Sequence, residues 1–573
     1  MTEGGWAAAG VTEEGCAPKA GGSIDVSSIL LSRTSVISSE QVDQSRKPDE
    51  VKRIERFYDT DYEVGQDNIE AMGMDIHNPV FLVSATLILL FVVLSLIFPQ
   101  VSSQALESAR VWIGETFDWL FLSAGNVFVL FCLSLIVLPV GRIRLGGQDA
   151  KPEFTYLSWF AMLFAAGMGI GLMFWAVAEP VAYFTDWSGT PLAVGADNAR
   201  ASLGATMYHW GLHPWAIYGL VALALAFFAY NKDMPLSIRS TFYPLLGDRV
   251  WGPFGHFIDT LAVLATLFGL ATSLGFGAKQ AAGGMAFLFG VDPGLKTQVA
   301  IIIGVTSIAV ISVIRGVHGG VRLLSNFNLL VALALLTFTM LAGGVLDFLA
   351  NVGTTVLGYL EYAVPLSNPV GRDDEAFYHG WTIFFWAWWI SWSPFVGMFI
   401  ARVSRGRTVR EFMTAVLVVP VLVTLIWMSV FGGNGIDQAR TGIGQLAAGI
   451  GDSSLALFQM LEQMPLTSVT SLLAILLVLV FFVTSSDSGS LVIDSITSGG
   501  KLDAPVPQRI FWAVTEGLVA GVLLAVGGDA ALNALQAGAL STGLPFTVVL
   551  LLICVSLAKA LRHELMLVNR GYG

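Results

Sequence analysis

Apolar runs long enough to cross a lipid bilayer recur along the chain from Pro79 onward. The hydrocarbon core of a bilayer is about 30 Å thick, and an α-helix needs about 20 residues to cross it. Twelve such runs predict an all-α polytopic membrane protein with 12 transmembrane helices. We place them at residues 79–99, 118–140, 157–178, 205–230, 256–289, 297–314, 325–348, 378–402, 412–432, 468–494, 508–527 and 541–564.

The composition agrees with a membrane protein and excludes other classes. Of the 573 residues, 55% are hydrophobic and 13% charged, whereas a soluble chain carries about 25% charged residues. The net charge of −12 gives no electrostatic support for a nucleic-acid partner. The nearest phosphate-loop candidate, at residues 499–502, lacks the upstream glycine and the Ser or Thr after the lysine. We therefore expect no ATP-driven motor. The sequence shows no nucleophile or metal constellation, so we expect neither an enzyme nor an organic cofactor.

Residues 1–75 differ from the rest of the chain in charge, with 15 Asp and Glu against 7 Lys and Arg. They lack the basic and apolar regions of a signal peptide, and we expect an acidic, largely disordered tail. The loops on the tail's side of the membrane carry 14 Lys and Arg, against five in the opposite loops. Because basic loops stay inside, we predict a cytoplasmic (inner) membrane protein with both termini in the cytoplasm.

The third span contains glycines at every second position, Gly167, Gly169 and Gly171. Small residues in membrane helices often serve close helix packing, but a spacing of two does not place them on one helical face. The pattern favours an interrupted helix, which is tolerated within a membrane where it lines a cavity. Unwound carbonyls there can coordinate Na⁺, and the N-terminus of the second half-helix can face an anion.

The eighth span holds four tryptophans between Phe384 and Phe395. Tryptophan often forms a belt at the membrane surface, but this cluster lies about 15 Å inside the run. Trp388, Trp389 and Trp392 share one helical face, and Pro394 then bends or breaks the helix. An aromatic wall at this depth suits a quaternary ammonium ion, which has no N–H to donate and is recognised by cation–π contact.

The fourth and tenth spans carry further polar and aromatic groups. Trp210, Trp215 and Tyr218 extend the aromatic lining. His209 and His213 have the spacing of a metal-binding pair, but no third ligand accompanies them, and hydrogen bonding at a helix end is the favoured interpretation. In the tenth span, residues 481–488 contain four hydroxyl side chains and Asp487. Such groups indicate either an interhelical network or an ion site, and we interpret Asp487 as structural.

Taken together, these segments resemble the betaine–choline–carnitine transporter family, and more closely its sodium-coupled glycine betaine members. The resemblance covers about residues 80–560. Its most specific pieces are GMGIGLMFWAVAEP (167–180), MYHWGLHPWAIY (207–218), WTIFFWAWWISWSPFVGMFIARVSRGRTVREF (381–412) and FFVTSSDS (481–488).

The resemblance implies a leucine-transporter-like core of two inverted five-helix repeats, at residues 141–348 and 378–565. Two extra helices, within residues 76–140, precede the core. Residues 349–377 are expected to form a helix or loop on the outer surface, and residues 566–573 a short cytoplasmic C-terminus. The resemblance also implies homotrimers in the lipid bilayer and alternating access.

The resemblance further implies a substrate site between the first helices of the two repeats. By matching position, the ammonium group lies in a box of Trp388, Trp389 and Trp392. The outer side of the pathway is lined by Trp210, Trp215 and Tyr218. The substrate carboxylate is expected to meet backbone N–H groups around Gly167, Gly169 and Gly171.

Sodium is the coupling ion that the resemblance implies. One site uses the carbonyls of Ala165, Met168 and Phe481 and the hydroxyls of Thr484 and Ser485. A second site in relatives uses two threonines one turn apart and an aromatic residue. Thr266 and Phe395 match that site here, but the second threonine position holds Leu270, which cannot coordinate an ion, so the number of ions stays open. Gly171 stands where proton-coupled relatives have an aspartate, which favours Na⁺.

We therefore expect a Na⁺ symporter of a zwitterionic compatible solute, with glycine betaine as the first candidate. Ectoine, proline and choline fit a similar box. A Na⁺-independent exchanger of carnitine or betaine type is the main alternative, followed by a channel, a membrane enzyme and a non-transporting osmosensor. The chain ends about ten residues after the last predicted span, without the long basic tail of osmosensing relatives. Either regulation differs or the C-terminus is shortened, and we do not assume osmotic regulation.

Overall fold

A computed structural model of the chain describes residues 58, 60–167, 169–185, 191–193, 198–315, 321–503 and 505–570. Most of these residues are helical, because a segment inside hydrocarbon must pair its own backbone N–H and C=O groups. The longer helices are α1 Val80–Ile97, α2 Pro99–Thr116, α3 Asp118–Val137, α4 Tyr156–Gly167, α5 Ile170–Thr185, α6 Asn198–Trp210, α7 Leu212–Lys232, α8 Pro253–Phe289, α9 Leu295–Arg315, α10 Val321–Gly343, α11 Val345–Ser367, α12 Ile383–Arg402, α13 Val409–Thr441, α14 Ala456–Glu462, α15 Thr467–Thr497, α16 Val506–Gly527 and α17 Ala531–Asn569.

Shorter elements connect these helices. Single α-helical turns occupy Tyr243–Leu246 and Glu375–Phe377, and a π-helical turn, Tyr378–Thr382, leads into α12. The 3₁₀ turns are Pro139–Arg142, Pro191–Ala193, Arg239–Phe242, Gly247–Trp251, Gln445–Ala448 and Gly528–Ala530. The strands found among the described residues are β1 Asn68–Ala71 and β2 Met74–His77.

The described residues contain ten helical stretches that are long and apolar enough to cross a membrane. The chain is therefore a polytopic helical membrane protein, and each of the twelve predicted segments overlaps a helix. The two counts differ for two reasons. The third span is divided into α4 and α5, each shorter than a full crossing, and the last two spans run together as Val506–Asn569, a stretch of 64 residues.

Two predictions about helix continuity have different outcomes. The fourth span, expected as one helix, is divided into α6 and α7 at Gly211, whose φ of −95° and ψ of −125° are not helical. By contrast, α12 continues without a break through Pro394, although proline removes a backbone donor. Residues 349–377, expected to form a helix or loop on the outer surface, contain most of α11.

Helix α12 forms the centre of the bundle. Nearly all of its residues between Ile383 and Ala401 are buried, and it packs against α7, α8 and α17. A helix that is apolar all round must be surrounded by other helices or by lipid. The central position of α12 places its tryptophans inside the protein and away from the bilayer surface.

The β1–β2 hairpin lies within the segment expected to be an acidic tail. Residues 1–57 and 59 lie outside the described residues, whereas Asn68–Ala71 and Met74–His77 form paired strands within the segment for which disorder is expected. Asn68 donates to the carbonyl oxygen of Ser498 at 3.0 Å, and Asp75 pairs with Lys501. These partners follow α15 and are remote in sequence, so no local pattern indicated them.

Arg239 holds the other end of the hairpin. Its guanidinium is fully buried and donates to His77 Nε2 and to Tyr62 Oη, each at 2.9 Å. Its Nε lies 3.2 Å from a carboxylate oxygen of Asp259 on α8. A buried guanidinium with three such neighbours is paired in the way that burial of a charge requires. The hairpin is thereby fixed to the helical bundle by charged and polar contacts.

We predict that acid weakens the docking of this hairpin. Burial and the adjacent Arg239 lower the pKa of His77 to about 3, whereas an unfolded histidine has a pKa of about 6.5. At pH values between 3 and 6.5, His77 of the released hairpin binds a proton that His77 of the docked hairpin does not. Docking is therefore strongest above pH 6.5 and weakens as the pH falls. Between pH 7.5 and 5 the docking equilibrium should fall by up to about 30-fold.

Hydrogen exchange of amides 68–77, corrected for the intrinsic effect of pH, measures this change. A His77→Gln variant keeps an acceptor for Arg239 and should lose the pH dependence. Equal protection of the wild-type hairpin at pH 5 and pH 7.5 would contradict the prediction.

Candidate functional site

The junction between α4 and α5 forms one wall of the candidate site. Helix α4 ends at Gly167 and α5 begins at Ile170, so the third span is interrupted where the glycine spacing predicts. Met168 lies outside the described residues. After the junction, the N–H of Leu172 donates to the carbonyl oxygen of Gly169 at 3.2 Å, which closes the first tight turn of α5.

Tryptophan rings occupy the space that these glycines leave empty. A Cβ atom at Gly171 would lie 2.5 Å from Cη2 of Trp388 and 3.1 Å from Cη2 of Trp210. At Gly169 it would lie 3.4 Å from Cη2 of Trp392. Because contacts under 3.0 Å are not tolerated, only glycine fits at position 171 with the Trp388 ring in this place. The glycines and tryptophans therefore form one packed unit.

Trp388 and Trp389 stack on each other within α12. Their ring centroids are 4.7 Å apart and their planes differ by 16°. Trp388 Nε1 donates to the carbonyl oxygen of Gly269 at 3.3 Å, and Trp389 Nε1 donates to the carbonyl oxygen of His209 at 3.0 Å. These bonds fix both indoles to neighbouring helices, α8 and α6.

The aromatic residues of α6 and α7 complete the ring cluster. Trp210 meets Trp389 edge-on at 4.8 Å between centroids. Tyr218 contacts Trp389 and Trp392, at 6.3 and 6.2 Å, and Trp215 at 5.6 Å. The structure thus brings all six predicted aromatic residues together, linked through Tyr218 and Trp389.

Two polar groups of this cluster make no hydrogen bond. Trp392 Nε1 and the Tyr218 hydroxyl are buried and have no hydrogen-bond partner. Buried donors are normally satisfied, and leaving one without a partner costs about 1–3 kcal/mol. Both groups belong to residues whose rings are in edge-on contact, so they mark a place where an acceptor on a ligand would be stabilised.

Glu179 is a buried residue that the sequence interpretation missed. Its carboxylate accepts from Trp210 Nε1 at 2.6 Å, His209 Nδ1 at 2.8 Å and the Tyr183 hydroxyl at 3.0 Å. His209 Nε2 in turn accepts from the Thr382 hydroxyl at 2.8 Å. The available signal was a single carboxylate in the apolar run before Pro180. Glu179 fixes Trp210 against the glycine junction.

The two histidines of the fourth span have separate partners. His209 bonds to Glu179 and Thr382, while His213 Nε2 lies 3.3 Å from the side-chain oxygen of Asn126. Among the described residues, no group of three His, Cys, Asp or Glu side chains is arranged to hold a metal ion. Hydrogen bonding at helix ends, the favoured interpretation, therefore matches their geometry.

The residues predicted for the first sodium site lie partly outside the described positions. The Thr484 hydroxyl donates within α15, to the carbonyl oxygens of Val480 at 3.0 Å and Phe481 at 3.2 Å. Ser485, the next residue, is half-buried. Helix α15 packs against α5 and α12. Ala165 lies in α4, but its side chain is not described, and Met168 is not described at all.

Packed side chains fill the position of the second predicted sodium site. Thr266 donates to the carbonyl oxygen of Ala262 at 2.7 Å, and Phe395 contacts Trp392 with 5.5 Å between ring centroids. Leu270 is fully buried, and a Cβ atom at Gly489 of α15 would lie 2.3 Å from its Cδ1. The leucine thus fills the space between α8 and α15.

Comparison with known proteins identifies the family. The family model described as "BCCT, betaine/carnitine/choline family transporter" matches residues 79–566. The chain belongs to the betaine/carnitine/choline transporter family. It is therefore a membrane transporter and not an enzyme, and the resemblance seen in the sequence motifs is confirmed.

Three similar curated relatives come from Vibrio parahaemolyticus. Glycine betaine transporter 1 is 62% identical over 510 residues, which cover 88% of this chain and 97% of the relative. A glycine betaine/proline/choline/ectoine transporter is 59% identical, with 88% and 91% covered. A glycine betaine/proline/choline transporter is 52% identical, with 88% and 94% covered.

We predict that Gly171→Ala disrupts the site. The added methyl group must displace the buried Trp388 ring, which is held by stacking on Trp389, and such overpacking costs about 1–3 kcal/mol. We expect a lower melting temperature and loss of substrate binding, measured by thermal denaturation and by binding to the purified protein. Gly304→Ala is the matched control, because a Cβ atom there has open space. Retention of binding by Gly171→Ala would contradict the packing described.

Proposed function

We propose that this transporter imports glycine betaine, or a closely related zwitterionic solute, by Na⁺ symport with alternating access. The observation that carries the proposal is the cluster of tryptophan rings packed over the glycine junction of α4 and α5. The names of the three Vibrio relatives support it, because each includes glycine betaine.

We place the ammonium group of the substrate among Trp388, Trp389 and Trp392. A trimethylammonium group cannot donate a hydrogen bond, and each ring that it faces contributes about 0.5–2 kcal/mol by cation–π attraction. The carboxylate of the substrate then faces the backbone N–H groups around Gly167, Gly169 and Gly171. The unpartnered Trp392 Nε1 and Tyr218 hydroxyl are further donors for it. Trp210, Trp215 and Tyr218 line the approach from outside.

We propose that one Na⁺ ion binds between the glycine junction and α15. Its ligands are the carbonyls of Ala165, Met168 and Phe481 and the hydroxyls of Thr484 and Ser485. Hydroxyl and carbonyl oxygens are suitable ligands for hard cations. The Thr484 hydroxyl donates its proton to carbonyls of its own helix, so its lone pairs are directed elsewhere and remain able to bind a cation.

The remaining architecture follows from family membership as a proposal. We assign twelve crossings, with two extra N-terminal helices and two inverted five-helix repeats that begin with the interrupted α4–α5 helix and with α12. Both termini lie in the cytoplasm, on the side with the larger number of basic loop residues, and three copies form a homotrimer. The substrate range extends to proline, choline or ectoine, which the names of two relatives include.

Uptake into proteoliposomes tests the proposed function. We expect radiolabelled glycine betaine to accumulate only with an inward Na⁺ gradient. Trp392→Ala should raise the KM about 2- to 30-fold, the equivalent of one lost cation–π contact. Trp119→Ala is the matched control, because Trp119 is 57% exposed on α3.

Two outcomes would contradict the proposal in different ways. Uptake that needs internal substrate and no Na⁺ would identify an exchanger. Wild-type kinetics in Trp392→Ala would remove this residue from the ammonium box.

A further inference from the structure

Among the described residues, one buried carboxyl group of α16 has no ion-pair partner and is not part of the tryptophan cluster. Glu516 of α16 has an exposed fraction of 0%. Its Oε2 atom accepts from the Ser486 hydroxyl of α15 at 3.1 Å, whereas its Oε1 atom has no hydrogen-bond partner. Arg509, the basic residue of α16, lies 3.5 Å from Asp494 instead. Among the described residues, no Lys or Arg forms an ion pair with Glu516.

A second buried oxygen without a partner lies against Gly517, the residue that follows Glu516. The Thr306 hydroxyl of α9 has no hydrogen-bond partner. A Cβ atom at Gly517 would lie 2.4 Å from this hydroxyl, so Thr306 reaches the residue next to Glu516. On the α15 side, Asp487 accepts from the Ser312 hydroxyl of α9 at 2.9 Å. Three helices therefore bring several oxygen atoms together inside the membrane-spanning bundle.

Glu516 also lies close to the leucine that departs from the second sodium site of relatives. A Cβ atom at Gly489 would lie 2.3 Å from Leu270 Cδ1 and 3.3 Å from Glu516 Oε1. The leucine and the carboxylate thus both lie next to Gly489. Position 270 on α8 holds a leucine where relatives have an oxygen ligand, whereas α16 supplies a carboxylate nearby.

We propose that Glu516 Oε1, Ser486 Oγ and Thr306 Oγ1 bind a second Na⁺ ion, separate from the ion at Thr484 and Ser485. An ionised carboxylate inside a membrane requires a paired charge, and hard cations take carboxylate and hydroxyl oxygens. The site offers all three oxygens, and in the part of the chain that the structure describes no basic side chain is ion-paired with Glu516. This inference rests on the proposed Na⁺ symport and assigns to that symport a coupling site that replaces the one lost at Leu270.

Binding of radioactive sodium to the purified full-length protein, without betaine and at constant ionic strength, tests the site. We expect the wild type to bind two ions per chain. Glu516→Gln preserves the side-chain shape, and Thr306→Val removes the hydroxyl without changing the charge. Each variant should either lose one bound ion or need at least about a tenfold higher Na⁺ concentration to half-saturate that site. Thr484→Ala should affect the other ion, and Glu516→Gln combined with Thr484→Ala should bind none.

Two matched controls should bind sodium like the wild type. Ser307→Ala removes an exposed hydroxyl next to Thr306, and Asp529→Asn removes an exposed carboxylate just after α16. Unchanged sodium binding in both Glu516→Gln and Thr306→Val would overturn the inference. If sodium binding is unchanged and the pH dependence of transport is altered, Glu516 is a proton carrier instead. If the wild type binds no sodium, the proposed symport itself fails.

Discussion

The contact between tryptophan rings of α12 and glycines at the α4–α5 junction is the interaction on which the site depends. An interrupted helix exposes backbone N–H and C=O groups, which hydrocarbon cannot satisfy. The rings of Trp388 and Trp392 lie against Gly171 and Gly169, so they cover the junction and exclude lipid from it. The same rings face inward with aromatic surface that can hold a cation. One packing arrangement therefore both permits the break and creates the recognition surface.

Buried charges impose a second constraint, and the protein meets it differently at each position. Arg239 has His77, Tyr62 and Asp259 around it, and Glu179 receives three donors. Arg239 is thereby ion-paired with a carboxylate and Glu179 is bonded to three donors, and the two groups hold the hairpin and Trp210 in place. Glu516 has one donor and one oxygen without a partner. This difference separates structural charges from a charge that is open to a ligand.

The sequence predicted the helical segments and the aromatic site, because both depend on local patterns. Runs of apolar residues reveal a span, and four tryptophans in twelve residues or alternating glycines stand out without knowledge of the fold. The division of the fourth span at Gly211 was missed because a single glycine in an apolar run is common. The Glu179 network, the docked hairpin and the placement of Leu270 and Glu516 next to Gly489 join residues that are far apart in sequence, and no local period encodes such contacts.

Competition between glycine betaine and 3,3-dimethylbutanoate tests whether the tryptophan cluster recognises the positive charge of its substrate. The two molecules share a shape and a carboxylate, but dimethylbutanoate carries a carbon in place of the charged nitrogen. With purified protein, radiolabelled betaine and fixed Na⁺, the account predicts that dimethylbutanoate needs at least about tenfold higher concentration to displace the label than betaine does, because cation–π attraction is lost at several rings. Equal displacement by both compounds would contradict recognition of the substrate by its positive charge.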